Sequence, residues 1–219
     1  MLILGLSGGA AVGKSTVARL FSKFSNAAVF DADKEVHHMY ESDERVIAAI
    51  REFFPDAVIE GHVSRKQLSR HFFEDSKRWH EFQSVIHGCV LQKQKRFILD
   101  SRRTGIRLLV LDIPLLLEKG FWRDCNVIVH VYANPRVQLE RLRSREISEE
   151  HIRFLLSKQV NSVKRCSFAD FFINTCSCTK DISYSVLDII RYGLSGASFA
   201  RFLNKATSPE ISRYLYKGV

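Results

Sequence analysis

The residues best suited to chemistry lie close to the beginning of the chain. Gly8, Gly13 and the pair Lys14-Ser15 fit the pattern G-x-x-x-x-G-K-[ST], which is typical of loops that bind nucleotide phosphates. Glycines let successive backbone N–H groups turn toward an anion, and the following helix adds its positive end. The lysine can then reach the β- and γ-phosphates, while the serine hydroxyl can ligate Mg²⁺. The pattern predicts a nucleoside triphosphate site with Mg²⁺, built from Gly8, Gly9, Ala10, Ala11, Val12, Gly13, Lys14, Ser15 and Thr16.

Carboxylates at two further places could act with this loop. Asp31 and Asp33 follow the apolar run 27–30, and parallel strands bring residues at their carboxyl ends to one crevice. One of the two could be a general base or position a metal ion, and the other could cap the following helix; the residues leave both assignments open. Asp112 stands near the end of the apolar run 108–113, where it resembles a Walker-B acid that would lie near Mg²⁺.

A cluster of positive charge lies between residues 141 and 165. Such a cluster can simply be a solvated helix face. In a phosphate-transfer enzyme it can instead form a mobile lid whose arginines meet the polyphosphate. Both interpretations remain open from the sequence, and the cations are Arg141, Arg143, Arg145, Arg153, Lys158, Lys164 and Arg165.

Five short apolar runs have the length and composition of buried strands. The first leads into the phosphate-binding pattern, and the last ends at Asn174. Their alternation with helical patterns predicts an α/β fold. The runs are 2–6, 27–30, 108–113, 127–132 and 169–174.

Helical patterns occupy much of the remaining chain. One helix begins at Lys14, and Pro135 stands at the favoured first-turn position of another. Between residues 33 and 107 only helices are predicted, with no strand, so this stretch is interpreted as a lid or substrate-binding insert. Two shorter helices are expected, one over 43–54 and one from Ser64 with Leu68 and Phe72 facing inward. A longer helix is expected over about 77–101, and its predicted buried residues are Phe82, Ile86, Cys89, Val90 and Phe97. The apolar residues that mark a last helix are Ile182, Val186, Ile189 and Ile190.

Composition places the chain among ordinary globular proteins. Of 219 residues, 46% are hydrophobic and 26% are charged, and no apolar run approaches the ~20 residues of a membrane helix. The net charge of +9 fits nucleic-acid binding or attraction of a polyanionic small substrate, and charge alone does not separate them.

Five scattered cysteines predict reduced thiols and a cytoplasmic protein. A secretory leader is not expected, because the first apolar run is short, broken by glycine and followed by Lys14.

Several stretches, taken in order, resemble the dephospho-CoA kinase family over about residues 1–190. The phosphate loop is shared by many kinases, whereas the Asp-Ala-Asp, Pro-Leu-Leu and Ala-Asp…Ile-Asn series is far more specific. The matching stretches are Gly5–Gly9 with Gly13–Thr16, Asp31–Asp33, Val63–Arg65 with Leu68, Ile86-His87, Pro114–Leu116 with Glu118, Gln138-Leu139 with Arg141 and Arg145, Gln159, and Ala169-Asp170 with Ile173-Asn174.

The resemblance implies a fold and an activity. The expected fold is the five-stranded parallel sheet of a P-loop kinase, with a helical substrate-binding insert and a lid. The expected activity is transfer of the γ-phosphoryl group of ATP to the ribose 3′-hydroxyl of dephospho-CoA, with Mg²⁺ and with no nucleic-acid or membrane partner. The implied segments are a nucleotide-binding core over 1–33, 107–135 and 166–192, a CoA-binding insert over 34–106, a lid over 136–165, and a tail over 193–219 without an assigned role.

The resemblance also implies residue roles. Asp33 is the expected base for the acceptor hydroxyl, with Lys14 and the lid residue Arg141 as further catalytic residues. Arg145 and Asn174 are expected to bind ATP. The acceptor side is implied to include Arg65, His87, Pro114, Leu115 and Leu116.

The sequence departs from the family pattern at two places, and two other functions were considered. Ala11 and Val12 occupy positions where family loops usually have Gly-Ser, and His87 precedes Gly88 rather than the usual proline. One rival is another small-molecule P-loop kinase, such as a nucleoside or nucleoside-monophosphate kinase. The other is a nucleic-acid-binding or GTP-switch module, which the lack of an Asn-Lys-x-Asp guanine signature disfavours.

Overall fold

The computed structural model describes residues 1–71, 77–113, 116, 120–145, 147–157 and 168–195. The chain forms two units, one of residues 1–30 with the chain from 101 onward, and one of residues 31–100. The strands are β1 Leu2–Ser7, β2 Ala28–Asp31, β3 Val58–Ile59, β4 His62–Val63, β5 Leu108–Asp112, β6 Val127–Tyr132 and β7 Phe171–Asn174. The helices are α1 Lys14–Ser25, α2 Ala32–Ser42, α3 Glu44–Phe53, α4 Arg65–His71, α5 Lys77–Arg103, α6 Pro135–Arg143, α7 Glu149–Ser157 and α8 Thr179–Ser195, with short 3₁₀ turns at Pro55–Ala57 and Phe121–Asp124.

The first unit is built on a five-stranded sheet with the strand order β2-β5-β1-β6-β7. β1 lies at its centre, where Leu4 pairs in parallel with Val110 of β5 and with Val127 of β6. Val129 of β6 pairs in turn with Phe171 of β7. The predicted α/β fold with five parallel strands is confirmed. Because parallel strands share one direction, the segments that follow them leave the sheet at a common edge.

The core of this unit contains side chains from the sheet and from the flanking helices. Leu4 and Leu6 of β1 and Phe21 of α1 are 0% exposed, and they belong to one cluster with residues of α8. Burial of a large apolar side chain typically stabilises a fold by about 1.5–3 kcal/mol. The helix predicted from Lys14 and the last helix are confirmed, and the buried residues of the latter are Ile182, Val186, Ile189 and Ile190.

β2 is less buried than the sequence predicts. Ala28 and Val29 are half-buried, and only Phe30 of this strand is fully buried. The reason is position, since β2 is an edge strand with one neighbour, whereas the apolar run alone suggested a strand enclosed on both faces.

The start of β7 is fixed by Asp170. Its carboxylate accepts a hydrogen bond from the N–H of Ile128 at 2.8 Å, and its own N–H donates to the Ile128 carbonyl at 2.8 Å. Burial raises the pKa of this carboxyl, while the bond from Ile128 acts in the opposite direction. Part of the Ala-Asp…Ile-Asn series therefore serves strand pairing.

The second unit contains an aromatic cluster between α3 and α5. Phe54 makes ring contacts with Phe53, Trp79 and Phe82 at centroid distances of 6.3, 5.5 and 5.3 Å. Phe54 is 2% exposed and Phe82 is 1% exposed. The cluster joins the end of α3 to the first turns of α5.

Side-chain caps define where two helices of this unit begin. Asp43 precedes α3, and its carboxylate accepts the N–H of Arg45 at 3.2 Å. Ser64 precedes α4, and its hydroxyl accepts the N–H of Gln67 at 3.4 Å. Both helices were predicted at these places, whereas Phe72 lies outside the described residues.

The prediction that the insert contains no strand is wrong at one place. β3 and β4 pair as an antiparallel hairpin, with Val58 opposite Val63. The turn is made by Glu60 and Gly61, whose φ angles of 50° and 83° are the positive pair that a tight two-residue hairpin turn needs. Strands of two residues are too short to show an alternating pattern in the sequence.

The helix predicted over about 77–101 is α5, but its buried face differs in detail. Cys89 and Phe97, predicted as buried, are only half-buried. Gln94, at 0% exposed, occupies a core position that apolar patterning does not detect. The buried stripe follows i, i+4 spacing through Phe82, Ile86, Val90, Gln94 and Ile98.

Candidate phosphate-binding site

The segment from Ser7 to Lys14 connects β1 to α1, as the phosphate-loop pattern predicts. Gly8 has a φ of 151°, and a Cβ on it would collide with the carbonyl oxygen of Val131. Gly13 precedes α1 with a left-handed φ of 95°, which glycine adopts without steric cost. Both glycines of the pattern are therefore required by the path of the backbone.

The Lys14 side chain folds back over the loop. Its Nζ donates to the carbonyl oxygens of Gly8 and Gly9, at 3.0 and 2.9 Å. The ammonium adds positive charge to a segment that precedes a helix N-terminus, where backbone N–H groups also attract anions.

Ser15 and Asp112 are brought together from distant parts of the chain. The Ser15 hydroxyl donates to Oδ2 of Asp112 at 3.1 Å. Asp112 is 6% exposed and ends β5, the neighbour of β1 in the sheet. Two adjacent hard oxygen donors suit Mg²⁺, which binds proteins through one or two carboxylates and keeps phosphate oxygens and water as its other ligands. The next residue, Thr16, is exposed, and its hydroxyl accepts a bond from Arg19 at 3.2 Å.

Ala11 and Val12, the departures from the family loop, are both accommodated. Ala11 has a left-handed φ of 56°, which glycine adopts freely and alanine does not. The residue is 8% exposed, and it packs with Leu142 of α6 and Ile152 of α7. Val12 is 4% exposed and belongs to the main core. The loop keeps a glycine-like backbone while two apolar side chains anchor it.

Two substitutions at Ala11 test this account. Ala11→Gly is expected to change the free energy of unfolding by less than about 1 kcal/mol, because relief of left-handed strain offsets the lost methyl contacts and the greater freedom of the unfolded chain. Ala11→Val should lower it by about 2 kcal/mol or more, since a β-branched residue fits poorly at positive φ and overfills the site. Urea unfolding of both variants measures the difference. An Ala11→Val protein as stable as the parent would contradict the conformation assigned to this residue.

Arg141 is connected to the loop through Thr175. Its Nη1 donates to Oγ1 of Thr175 at 3.0 Å, and its Nη2 donates to the Thr175 carbonyl at 2.8 Å. The Thr175 hydroxyl donates in turn to the carbonyl oxygen of Val12 at 2.6 Å. Thr175 was not among the site residues predicted from the sequence, where its only signal was its place directly after the last strand.

Gln138 of α6 makes a second polar contact with the loop. Its Nε2 donates to the carbonyl oxygen of Ala10 at 2.7 Å. In the sequence Gln138 was part of the family resemblance without a role. The structure brings it to the same loop as Thr175.

The other cations between 141 and 165 have different surroundings. Nε of Arg143 lies 2.7 Å from Oε1 of Glu149, and Nε of Arg153 donates to the Glu149 carbonyl at 3.4 Å. For these two arginines the interpretation as a solvated helix face is supported. Arg145 is exposed just after α6. Outside the described residues lie Lys158, Gln159, Lys164 and Arg165.

Asn174 shapes the turn that follows β7. Its Oδ1 accepts the N–H of Cys176 at 2.9 Å, which closes an Asx turn. Sγ of Cys176 accepts the N–H of Asn134, the cap of α6, at 3.0 Å. The role of Asn174 toward ATP stays a prediction.

In the second unit, Asp31 and Asp33 have different surroundings. Asp31 caps α2: its Oδ1 accepts the N–H of Lys34 at 3.1 Å, and its Oδ2 lies 3.1 Å from the ammonium of the same lysine. Asp33 lies in the first turn of α2 and is exposed. The capping role belongs to Asp31, and Asp33 remains the candidate for chemistry.

The acceptor residues predicted in the second unit lie on two helices. Arg65 begins α4, and its Nη2 lies 2.7 Å from Oε1 of Glu41. Burial raises the pKa of Tyr40 to about 12, while the nearby charge of Arg65 acts in the opposite direction. His87 is half-buried on α5.

Of the predicted acceptor loop after β5, only Leu116 is described, and Pro114 and Leu115 lie outside the described residues. Leu116 is 2% exposed and packs over β1, because a Cβ on Gly5 would stand 2.7 Å from its Cδ2 and 2.7 Å from Sγ of Cys125. Burial raises the pKa of Cys125 to about 12, so that its thiol is neutral at physiological pH. Gly5 thus leaves room for both side chains.

The reduced state of the cysteines stays a prediction. Cys89, Cys125, Cys176 and Cys178 are free, and Cys166 lies outside the described residues. Among the helices that are described, none has the length and apolar character to cross a bilayer.

The chain is similar to known dephospho-CoA kinases over most of its length. The family model for dephospho-CoA kinase matches residues 2–181. A dephospho-CoA kinase from Anaplasma marginale (strain St. Maries) is 47% identical over 190 residues, covering 87% of this chain and 85% of that protein. One from Ehrlichia canis (strain Jake) is 44% identical over 190 residues, covering 87% and 95%. The crystal structure of TT1252 from Thermus thermophilus has a TM-score of 0.72 at 26% identity, covering 89% of this chain and 98% of that one.

The family match extends from β1 through the insert to the beginning of α8. It therefore includes the phosphate loop, Asp112 and the end of β7 in one uninterrupted stretch. With the fold, the loop and these relatives in agreement, the chain belongs to the dephospho-CoA kinase family.

Proposed function

We propose that the protein transfers the γ-phosphoryl group of ATP to the ribose 3′-hydroxyl of dephospho-CoA, giving ADP and CoA. The observation that carries the proposal is the loop after β1, where Lys14 precedes the Ser15–Asp112 pair in a chain that matches the family over residues 2–181. A net charge of +9 suits a protein that must hold two polyanionic substrates.

On the ATP side, the proposal assigns the phosphates to the loop and to Lys14. Backbone N–H groups and the positive end of α1 attract the phosphate oxygens. The Lys14 ammonium would exchange its bonds to the Gly8 and Gly9 carbonyls for phosphate oxygens, which carry more negative charge. It would then stabilise the charge that develops on the departing ADP.

Ser15 and Asp112 are the residues that would hold Mg²⁺. Their oxygens lie 3.1 Å apart at the ends of two neighbouring elements, α1 and β5. When bound, Mg²⁺ supplies positive charge to the phosphates of ATP. The chain itself would keep the Ser15 hydroxyl and the Asp112 carboxylate oriented toward the position of the ion.

On the acceptor side, the proposal makes Asp33 the base. The 3′-oxygen attacks the γ-phosphorus, and the bond between that phosphorus and the β–γ bridging oxygen breaks, so that ADP leaves with this oxygen. The hydroxyl proton passes to the carboxylate of Asp33. The choice of Asp33 is supported by its exposed position in α2, next to an Asp31 that is engaged as the helix cap.

The remaining assignments follow the family resemblance and are part of the same proposal. Arg65 and His87 would bind the acceptor together with the loop of Pro114, Leu115 and Leu116. Arg141 and Arg145 would approach the phosphates from a lid over 136–165, and Asn174 would contact ATP. Residues 34–106 would form the acceptor-binding insert, and the reaction would take place in the cytoplasm.

A coupled assay of ADP release tests the proposed function. Purified protein with ATP and Mg²⁺ is expected to release ADP only when dephospho-CoA is added, and the product should have the mass of CoA. Parallel reactions with adenosine and AMP provide the competing acceptors. Turnover of either one without turnover of dephospho-CoA would replace the proposal by a nucleoside or nucleoside-monophosphate kinase, and DNA retention without kinase activity would favour the nucleic-acid alternative.

A further inference from the structure

Two carbonyl groups of the phosphate loop are held by side chains from distant parts of the chain. Gln138 Nε2 lies 2.7 Å from the Ala10 carbonyl oxygen, 128 residues away in sequence. Thr175 Oγ1 lies 2.6 Å from the Val12 carbonyl oxygen, 163 residues away. Both distances are those of strong hydrogen bonds to a carbonyl.

Each of these bonds also orients the next amide. A trans peptide unit is planar, and its C=O and N–H groups point in opposite directions; the described residues contain no cis peptide bond. Because the Ala10 carbonyl points at Gln138, the N–H of Ala11 points away from that side chain. The N–H of Gly13 likewise points away from Thr175. Neither N–H donates to any backbone carbonyl in the part of the chain that the structure describes.

The hydroxyl of Thr175 is itself oriented by a neighbour. Thr175 is 6% exposed, and its Oγ1 accepts a hydrogen bond from Arg141 at 3.0 Å. A hydroxyl that accepts from one partner can donate its single hydrogen to another. The nearest acceptor is the Val12 carbonyl at 2.6 Å, whereas the Tyr132 carbonyl lies at 3.3 Å. The hydrogen is therefore directed at the loop.

We propose that Gln138 and Thr175 are positioning residues, which hold two loop carbonyls outward so that the N–H groups of Ala11 and Gly13 face the phosphates. A carbonyl turned inward would repel phosphate oxygens, whereas an N–H group attracts them. The inference rests on the proposed function only in that the loop holds phosphate groups. Both residues act through the loop backbone and not on the reacting atoms.

Variants that lose only the hydrogen-bond donor provide the test. Gln138→Met and Thr175→Val keep nearly the same volume, and each is expected to weaken the binding of inorganic tripolyphosphate by about threefold to tenfold, the effect of one hydrogen bond. Affinity is measured by displacement of a fluorescent ATP analogue from the full-length protein. Adenosine, which has no phosphate, should have the same inhibition constant for each variant as for the parent protein, calculated with the dissociation constant of the analogue for that variant.

Two further variants serve as rescue and control. Thr175→Ser restores the hydroxyl and should restore tripolyphosphate affinity. Lys23→Ala removes a positive charge at an exposed residue in the last turn of α1, remote from the loop, and it should bind tripolyphosphate like the parent. Melting temperatures are recorded for all variants, so that loss of folded protein is recognised.

Three results would overturn the inference: unchanged tripolyphosphate affinity in both donor-loss variants, equal weakening of tripolyphosphate and adenosine, or a lowered melting temperature as the only effect. Selective loss of tripolyphosphate affinity would support it. That support would hold even if dephospho-CoA were not phosphorylated, in which case the proposed function would fail while the loop assignment stood.

Discussion

Asp33→Asn is expected to lower kcat by about 10²–10⁴-fold, the usual effect of removing a general base. Asparagine keeps the size of the side chain and much of its hydrogen bonding, but it cannot accept the proton of the acceptor hydroxyl. ATP affinity should change little, because the proposal assigns ATP binding to the phosphate loop. The measurements are kcat with saturating dephospho-CoA and the dissociation constant of ATP for the same preparation.

Asp31→Asn is the matched control, two residues earlier and with the same chemical change. Asparagine caps helices about as well as aspartate, and the lost ion pair with Lys34 involves an exposed ammonium. We therefore expect nearly normal turnover and a small change in stability. An inactive Asp31→Asn protein beside an active Asp33→Asn protein would reverse the assignment. If both remain active, the proposed base is wrong.

Lys14→Ala is expected to fold and to lose about 10²–10³-fold in kcat, the typical cost of removing one electrostatic contact to a transition state. Folding should survive, because the Lys14 ammonium donates hydrogen bonds to carbonyl oxygens of the loop itself, those of Gly8 and Gly9. The measurements are steady-state turnover of ATP with dephospho-CoA, and a circular dichroism spectrum that establishes the fold.

Lys23→Ala is the control for charge on the same helix. Lys23 is exposed in the last turn of α1 and lies 5.9 Å from the ring centre of Phe24. The substitution removes the same charge from α1 at the end remote from the loop, so parent-like turnover is expected. Near-normal turnover of a folded Lys14→Ala protein would show that the loop does not act as proposed.

The phosphate loop could be predicted from the sequence because its chemistry is local. Residues within a few positions of one another determine the positive φ of Gly13, the place of Lys14 and the start of α1. Apolar runs likewise predicted the five strands of the sheet. Continuous apolar sequence is typical of strands buried on both faces, as β5 and β6 are. The hairpin at 58–63 escaped prediction because strands of two residues carry no period.

Some contacts were suggested by the sequence but decided by the fold. Asp31 and Asp33 were both candidates for helix capping, and the bond from the N–H of Lys34 selected Asp31. Asp112 was a candidate for the metal site, and its approach to Ser15 depends on β5 lying beside β1. In each case the residue type allowed the role, while the backbone geometry determined which residue lies close enough to its hydrogen-bond partner.

By itself, the sequence determined the nucleotide loop, the α/β class and the family resemblance, because these reside in residue types and short spacings. Only the tertiary structure decided that Gln138 reaches Ala10 and that Thr175 reaches Val12, across 128 and 163 positions. Those contacts require β6 beside β1 and β7 beside β6. Hydrophobic patterning indicates which faces of the helices and strands are buried, but many strand orders would bury those faces equally well. The residues that contact the loop are therefore known only from the folded chain.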